Sequence, residues 1–151
     1  MTTSEAPRTP LPVVVKGALL AHTIYPDPAA RPMGDIDLWV TGAEMPQAWR
    51  TLEANGYMQQ SKDSRPLEFQ AQHDGEVQLR SRDPGKGLIE LHWGVFAGEW
   101  LRWVAPIDRA GLRQRIQPIT LFGQPAYALA PEDHLLHVAV HVAINHQFTF
   151  G

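Results

Sequence analysis

The stretch from Val13 to Val40, VVVKGALLAHTIYPDPAARPMGDIDLWV, decides how this chain is read. A β-branched run, Val13-Val14-Val15, gives way at Lys16-Gly17 to the helix formers Ala18-Leu19-Leu20-Ala21, so a strand is expected to hand over to a helix at a glycine. A helix start of that kind offers backbone N–H groups to an anion. At the far end, Gly34-Asp35-Ile36-Asp37-Leu38-Trp39-Val40 carries two acids at i and i+2 of an apolar strand pattern, and that spacing points both side chains to one face. Two carboxylates so placed repel each other. A divalent cation is the simplest relief, and a hard ion such as Mg²⁺ takes carboxylate and phosphate oxygens. Between the two ends, Tyr25-Pro26-Asp27-Pro28 stops the helix, because each proline lacks a donor and restricts its predecessor. The following loop, with Arg31 on it, must lie beside the acidic strand. An arginine there either reaches a phosphate group bidentately or stands in solvent.

A third acid lies further on. In Leu88-Ile89-Glu90-Leu91-His92-Trp93 alternate residues share a face, so Leu88, Glu90 and His92 point one way and Ile89, Leu91 and Trp93 the other. A lone glutamate in so apolar a strand is costly to bury without a partner. Beside the strand of Asp35 and Asp37, Glu90 completes a carboxylate triad; on an edge strand, Glu90 and His92 face water.

A strand, a glycine turn opening a helix, and Gly34-Asp35-Ile36-Asp37 on a second strand together resemble the signature of the DNA polymerase β-like nucleotidyltransferase superfamily. The wording Lys16-Gly17-Ala18, Tyr25-Pro26-Asp27-Pro28 and Arg31-Pro32-Met33-Gly34-Asp35-Ile36-Asp37 is similar to its bacterial branch of uncharacterised nucleotidyltransferases. Ile89-Glu90-Leu91-His92-Trp93 and Ala130-Pro131-Glu132-Asp133-His134-Leu135-Leu136-His137 extend the likeness. Two features differ: Ala18 stands where the superfamily usually has Gly or Ser, and the gap from Gly17 to Asp35 is longer than in minimal members.

The resemblance implies an α/β (α+β) fold: a nucleotidyltransferase-like core with a short mixed or antiparallel sheet carrying the acidic strands side by side, helices on one face, and a buried C-terminal helix. It implies Asp35, Asp37 and Glu90 as catalytic, metal-holding residues, with Mg²⁺ or Mn²⁺ as cofactor. Lys16, Gly17, Ala18, Arg31 and Gly34 would bind the nucleoside triphosphate. The reaction implied moves a nucleoside monophosphate to a hydroxyl acceptor, on a small molecule, a protein or an RNA end, and releases pyrophosphate. The alternative is a non-catalytic nucleotide-binding or toxin–antitoxin-type module of the same fold. Three mutually repelling acids favour the enzyme.

A length of 151 residues suits one domain, and 44% apolar with 19% charged residues is an ordinary globular composition. The chain has no cysteine, which excludes disulfides, zinc–thiolate sites and thiol nucleophiles. No window approaches the roughly 18 apolar residues of a membrane span, and the N-terminus lacks an apolar signal core. A cytoplasmic location is expected. The net charge of −3 argues against an extended nucleic-acid surface.

Residues 1–12 read as a flexible lead-in, 13–130 as the nucleotidyltransferase-like domain, and 131–151 as a C-terminal helix that could begin a longer helical region. Thr41-Gly42-Ala43-Glu44 has the form of a capping box, ahead of a helix with Met45, Trp49 and Leu52 on one stripe and Asn55-Gly56 as its stop. Leu67 to Gln72 and Val77 to Arg80 are strand candidates about a turn at His73-Asp74-Gly75. Helical pieces are expected around Trp100 to Ile116. Residues Ile119 to Phe122 and Ala126 to Leu129 suggest a hairpin whose second strand Pro125 limits to an edge. Pro131, Glu132 and Asp133 suit a helix start. That helix is apolar round most of its circumference except for His134, His137, His141 and Asn145, a stripe turned to solvent, to a further segment or partner chain, or to the nucleotide cleft.

Overall fold

The run Val13–Val15 forms strand β1, and all three side chains are buried. The computed structural model, which describes residues 12–61, 65, 66, 69, 73, 75–96 and 106–145, places β1 inside a mixed seven-stranded sheet. The other strands are β2 (Asp35–Trp39), β3 (Tyr57–Gln60), β4 (Glu76–Ser81), β5 (Leu88–His92), β6 (Gln117–Leu121) and β7 (Gln124–Ala128). Helices α1 (Lys16–Thr23), α2 (Met45–Ala54), α3 (Arg109–Gln114) and α4 (Pro131–Asn145) connect or cover them. The strand order is β3-β4-β5-β2-β1-β7-β6. Strand β1 runs antiparallel to β2 and parallel to β7, and β2 runs parallel to β5.

Strand alternation sorts the interior by face. Val13, Val15 and Trp39 pack with Val95 and Leu129, against Leu112 of α3. Val14 packs with Ala18 and Leu19 of α1. Val77, Leu79 and Leu91 receive Met45, Trp49 and Leu52 of α2. Helices therefore cover both faces, not the one expected, because β1 is apolar on both sides and neither side can be left to water. Leu79 and Leu91 are fully enclosed, so truncating either to alanine would cost roughly 2–5 kcal/mol.

Several local expectations hold. Thr41 and Glu44 form the capping box reciprocally: the Thr41 backbone N–H donates to Glu44 Oε2 at 2.9 Å, and the Glu44 N–H donates to Thr41 Oγ1 at 3.3 Å. Gly56 closes α2 at φ 85°, a conformation that favours glycine. Strands β6 and β7 pair as a hairpin.

Others need correction. Pro125 does not confine β7 to an edge. Within β7, strand β1 pairs only with Tyr127 and Ala128, so the missing proline N–H falls outside that ladder, and β6 is the edge instead. In the stretch where a strand was expected from Leu67, Phe69 and His73 are the described positions before Gly75, and both are helical. Their rings stack 4.1 Å apart, a contact that i, i+4 spacing on a helix allows. Strand β4 lies between β5 and β3, and β3 is a strand that the sequence pattern does not mark out. The pieces expected about Trp100 to Val104 and the lead-in before Pro12 lie outside the described residues.

Helix α4 begins at Pro131, with Glu132 and Asp133 in its first turn. Its histidine stripe is not turned to solvent: His141 lines the cleft of Asp35 and Asp37, one of the expected placements, and the two earlier histidines face inward. Leu135 and Leu136 are 70% and 63% exposed, whereas His134 and His137 are buried. The His137 Nε2–H donates to the Val95 carbonyl at 2.8 Å, so the ring gains a partner inside that solvent would otherwise supply. No described helix is long and apolar enough to cross a membrane.

Candidate active site

The left-handed residue at the junction of β1 and α1 is Lys16, with φ 53°, not the glycine after it. An L-residue there is uncommon and strained. The cap residue of α1, Val15, gives no side-chain hydrogen bond to the helix start, so the first-turn N–H groups are available to an anion. The role of Gly17 is space. A Cβ at that position would lie 3.1 Å from Arg31 Nη1, so the glycine lets the loop guanidinium lie directly over the first turn of α1.

The parallel register of β2 and β5 pairs Asp37 with Glu90, Asp35 with Leu88, and Trp39 with His92. Paired residues share a face, and alternation then puts Asp35, Asp37, Glu90 and His92 on one side of the sheet. Asp37 Oδ1 accepts from Lys16 Nζ at 2.7 Å and lies 2.8 Å from His92 Nε2. The other ring nitrogen, His92 Nδ1, lies 2.7 Å from Glu76 Oε2. Gln78 Nε2 donates to Glu90 Oε1 at 2.6 Å.

These contacts set the charges. Burial alone would raise the Asp37 carboxyl, but the His92 hydrogen bond and the Lys16 ammonium outweigh it and hold the group well below the usual carboxylate range. Burial likewise opposes a charge on His92, yet its bonds to Asp37 and Glu76 raise its pKa above the ordinary value. Asp35 is pushed up, first by burial and then by the charges of Asp37 and Glu90. Two acids two residues apart thus behave oppositely, because one has hydrogen-bonded cationic partners that outweigh its burial and the other has burial reinforced by anionic neighbours.

A cleft of about 380 Å³ gathers Lys16, Gly17, Arg31, Gly34, Asp35, Asp37 and Glu90, with Val138, His141 and Val142 of α4 on its wall. The structure therefore assembles the residues expected there, apart from one. Ala18 turns its side chain into the core beside Val14, so only its backbone could meet a ligand. Asp37, Glu90 and His92 each offer a ligand atom, and the three atoms lie within 4.8 Å of one another. With Asp35 on the same face, its pKa raised by burial and then by the charges of Asp37 and Glu90, the carboxylates fit a hard divalent cation.

The sequence from residue 8 to residue 151 matches the model of a family described as uncharacterised nucleotidyltransferase. The chain belongs to that family. The resemblance carried by the Gly34-Asp35-Ile36-Asp37 and Ile89-Glu90-Leu91-His92-Trp93 segments to the DNA polymerase β-like superfamily is thereby borne out. Among solved structures, the chain is similar to the lincosamide antibiotic adenylyltransferase LnuA in its lincomycin-bound form. That match has 11% identity and TM-score 0.47, and covers 83% of this chain and 73% of that one. It is also similar to an antigenic nucleotidyltransferase-like protein from Paracoccidioides brasiliensis, at 17% identity and TM-score 0.47, covering 82% of this chain and 54% of that one. A comparison with curated protein sequences gives no significant match.

In this nucleotidyltransferase family member, the site residues that sequence reasoning missed are His92, Glu76 and Gln78. A signal existed in Glu76-Val77-Gln78-Leu79. Its alternation presents two polar side chains on the face opposite two apolar ones, which is the pattern of a strand bordering a polar site.

Proposed function

We propose that this chain is a metal-dependent nucleotidyltransferase that moves a nucleoside monophosphate from a nucleoside triphosphate to a hydroxyl acceptor, with release of pyrophosphate. The observation that supports this reading best is the direct pairing of Asp37 with Glu90 on parallel strands, with Asp35 on the same face and Lys16, Gly17 and Arg31 lining the same cleft. Asp35 and Asp37 would hold the ion that accompanies the triphosphate, and Glu90 with both of them a second. Mg²⁺ or Mn²⁺, when bound, neutralises phosphate charge and lowers the pKa of the acceptor hydroxyl.

The chain's own groups do the rest. The uncapped start of α1 turns N–H donors toward the phosphates, Gly17 allows close approach, and Arg31 supplies a bidentate cation. Lys16 is bonded to Asp37, so it holds that carboxylate until the triphosphate offers it a second partner. The unit responsible would be residues 13–130, with the helix from residue 131 closing the cleft through Val138, His141 and Val142. The working compartment would be the cytoplasm, and the net charge of −3 favours a small-molecule or protein acceptor over long nucleic acid.

A thermal-shift series across four nucleoside triphosphates, with and without Mg²⁺ or Mn²⁺, tests the binding half of this reading, since a ligand of the native state alone raises its stability. A rise with at least one triphosphate that depends on the metal is expected. No shift with any of them, on folded protein, would count decisively against the nucleotide site.

A further inference from the structure

Strand β4 contributes no residue to the cleft, yet two of its polar side chains are spent on one acid and the histidine of β5. The antiparallel register pairs Glu76 with His92 and Gln78 with Glu90. Glu76 is 8% exposed, His92 4% and Asp37 4%. Burying three ionisable groups in a row is costly unless each is paired. They are paired end to end: Glu76 Oε2 to His92 Nδ1 at 2.7 Å, and His92 Nε2 to Asp37 Oδ1 at 2.8 Å. An ionised carboxylate can only accept, so a ring whose two nitrogens both face carboxylate oxygens donates from both and is held in one orientation. His92 Nε2 is also 3.6 Å from Glu90 Oε2, too long for a hydrogen bond, so the ring's specific partner in the cleft is Asp37.

We propose that Glu76 and His92 form a positioning pair, in which Glu76 fixes the ring of His92 and His92 fixes the carboxylate of Asp37 for a divalent cation. This rests on the reading of Asp37 as a metal-holding residue. Both bonds to Asp37, from His92 and from Lys16, fall on Oδ1, which pins the carboxylate by one oxygen and presents the other. A carboxylate free to rotate would have to be ordered at the moment of binding, and partners of this outer kind typically change metal affinity by about 10–100-fold. Gln78 does for Glu90 what His92 does for Asp37, by a hydrogen bond donated from its side-chain amide.

The test is Mn²⁺ binding to the full chain without nucleotide, read as free Mn²⁺ by electron paramagnetic resonance, for wild type, His92→Ala, Glu76→Ala and Glu76→Gln, with circular dichroism to show that each is folded. Positioning predicts that His92→Ala and Glu76→Ala weaken Mn²⁺ binding about tenfold or more. Glu76→Gln should recover most of the loss, because an amide oxygen can still accept from Nδ1–H. A structural role alone would lower stability in all three variants and leave the Mn²⁺ affinity of folded protein unchanged. A purely electrostatic role would raise affinity in His92→Ala, since a cation beside Asp37 is removed. Either result overturns the proposal. If His92→Ala does not fold, the contrast between the two Glu76 variants decides. Wild-type protein that binds no Mn²⁺ would overturn the metal reading of Asp37 itself, and the positioning pair with it; wild-type binding with unaltered variants overturns the pair alone.

Discussion

Lys16 Nζ lies 2.7 Å from Asp37 Oδ1 and bridges the strained start of α1 to the acidic strand β2. Asp37 is thus a buried anion with two donors, whereas Asp35, on the same face, has its pKa raised by burial and by the charges of Asp37 and Glu90. Replacing each by asparagine should therefore move stability in opposite directions. Asp37→Asn leaves Lys16 and a charged His92 facing a neutral amide and should cost on the order of 2 kcal/mol. Asp35→Asn relieves repulsion and should leave stability equal or higher. Urea unfolding at pH 7 without metal reads both. The same sign for the two substitutions would contradict the charge assignment.

Gly17 offers a cleaner separation of binding from folding. Its backbone is helical, so alanine gains helix propensity, up to about 1 kcal/mol. The added Cβ meets Arg31 Nη1 at 3.1 Å, the far end of a flexible side chain that can shift. Gly17→Ala should therefore fold normally while weakening triphosphate binding about tenfold, or roughly 1.4 kcal/mol. Titration of the metal-dependent thermal shift checks this. An unchanged affinity would mean that the phosphates do not pass over the first turn of α1.

The sequence made the site largely legible because strand periodicity is strict. Asp35 and Asp37 could only share a face, and Glu90 could only join them if β5 lay beside β2, which it does. His92 was visible on the face of Glu90, but its bond to Glu76 depends on β4 pairing with β5, a long-range choice that local pattern does not fix. Helix α4 misled for a related reason. Its composition is apolar on nearly every face, so periodicity could not say which face packs, and a carbonyl at Val95 that accepts from His137 decided it. Lys16, not Gly17, takes the left-handed backbone, and its ammonium is tied to Asp37, a tertiary contact that local preference does not anticipate.

That inward turn of α4 has a pH signature. Burial pushes His137 down to about 4, and lowers His134 as well. The unfolded chain then binds more protons than the native state between pH 6.5 and about 4, so stability rises with pH across that window and is lost as pH falls through it. For His137 alone the loss is on the order of 3 kcal/mol. Urea unfolding at intervals from pH 7 to pH 4.5 should show the slope, and His137→Gln should make it shallower. An equal slope in the variant would place the proton uptake elsewhere.

Asp35, Asp37 and Glu90 are proposed to form one centre for nucleotidyl transfer. Its most direct test incubates the protein with α-labelled nucleoside triphosphates, Mg²⁺ and a pool of hydroxyl acceptors, and follows pyrophosphate release together with label transfer. Wild type should transfer label from at least one triphosphate. Asp37→Asn, folded by circular dichroism, should transfer at least about a hundredfold more slowly, as expected when an interaction made in the transition state is removed. Undiminished transfer by Asp37→Asn, or no metal-dependent transfer by wild type with any triphosphate and acceptor, would contradict it.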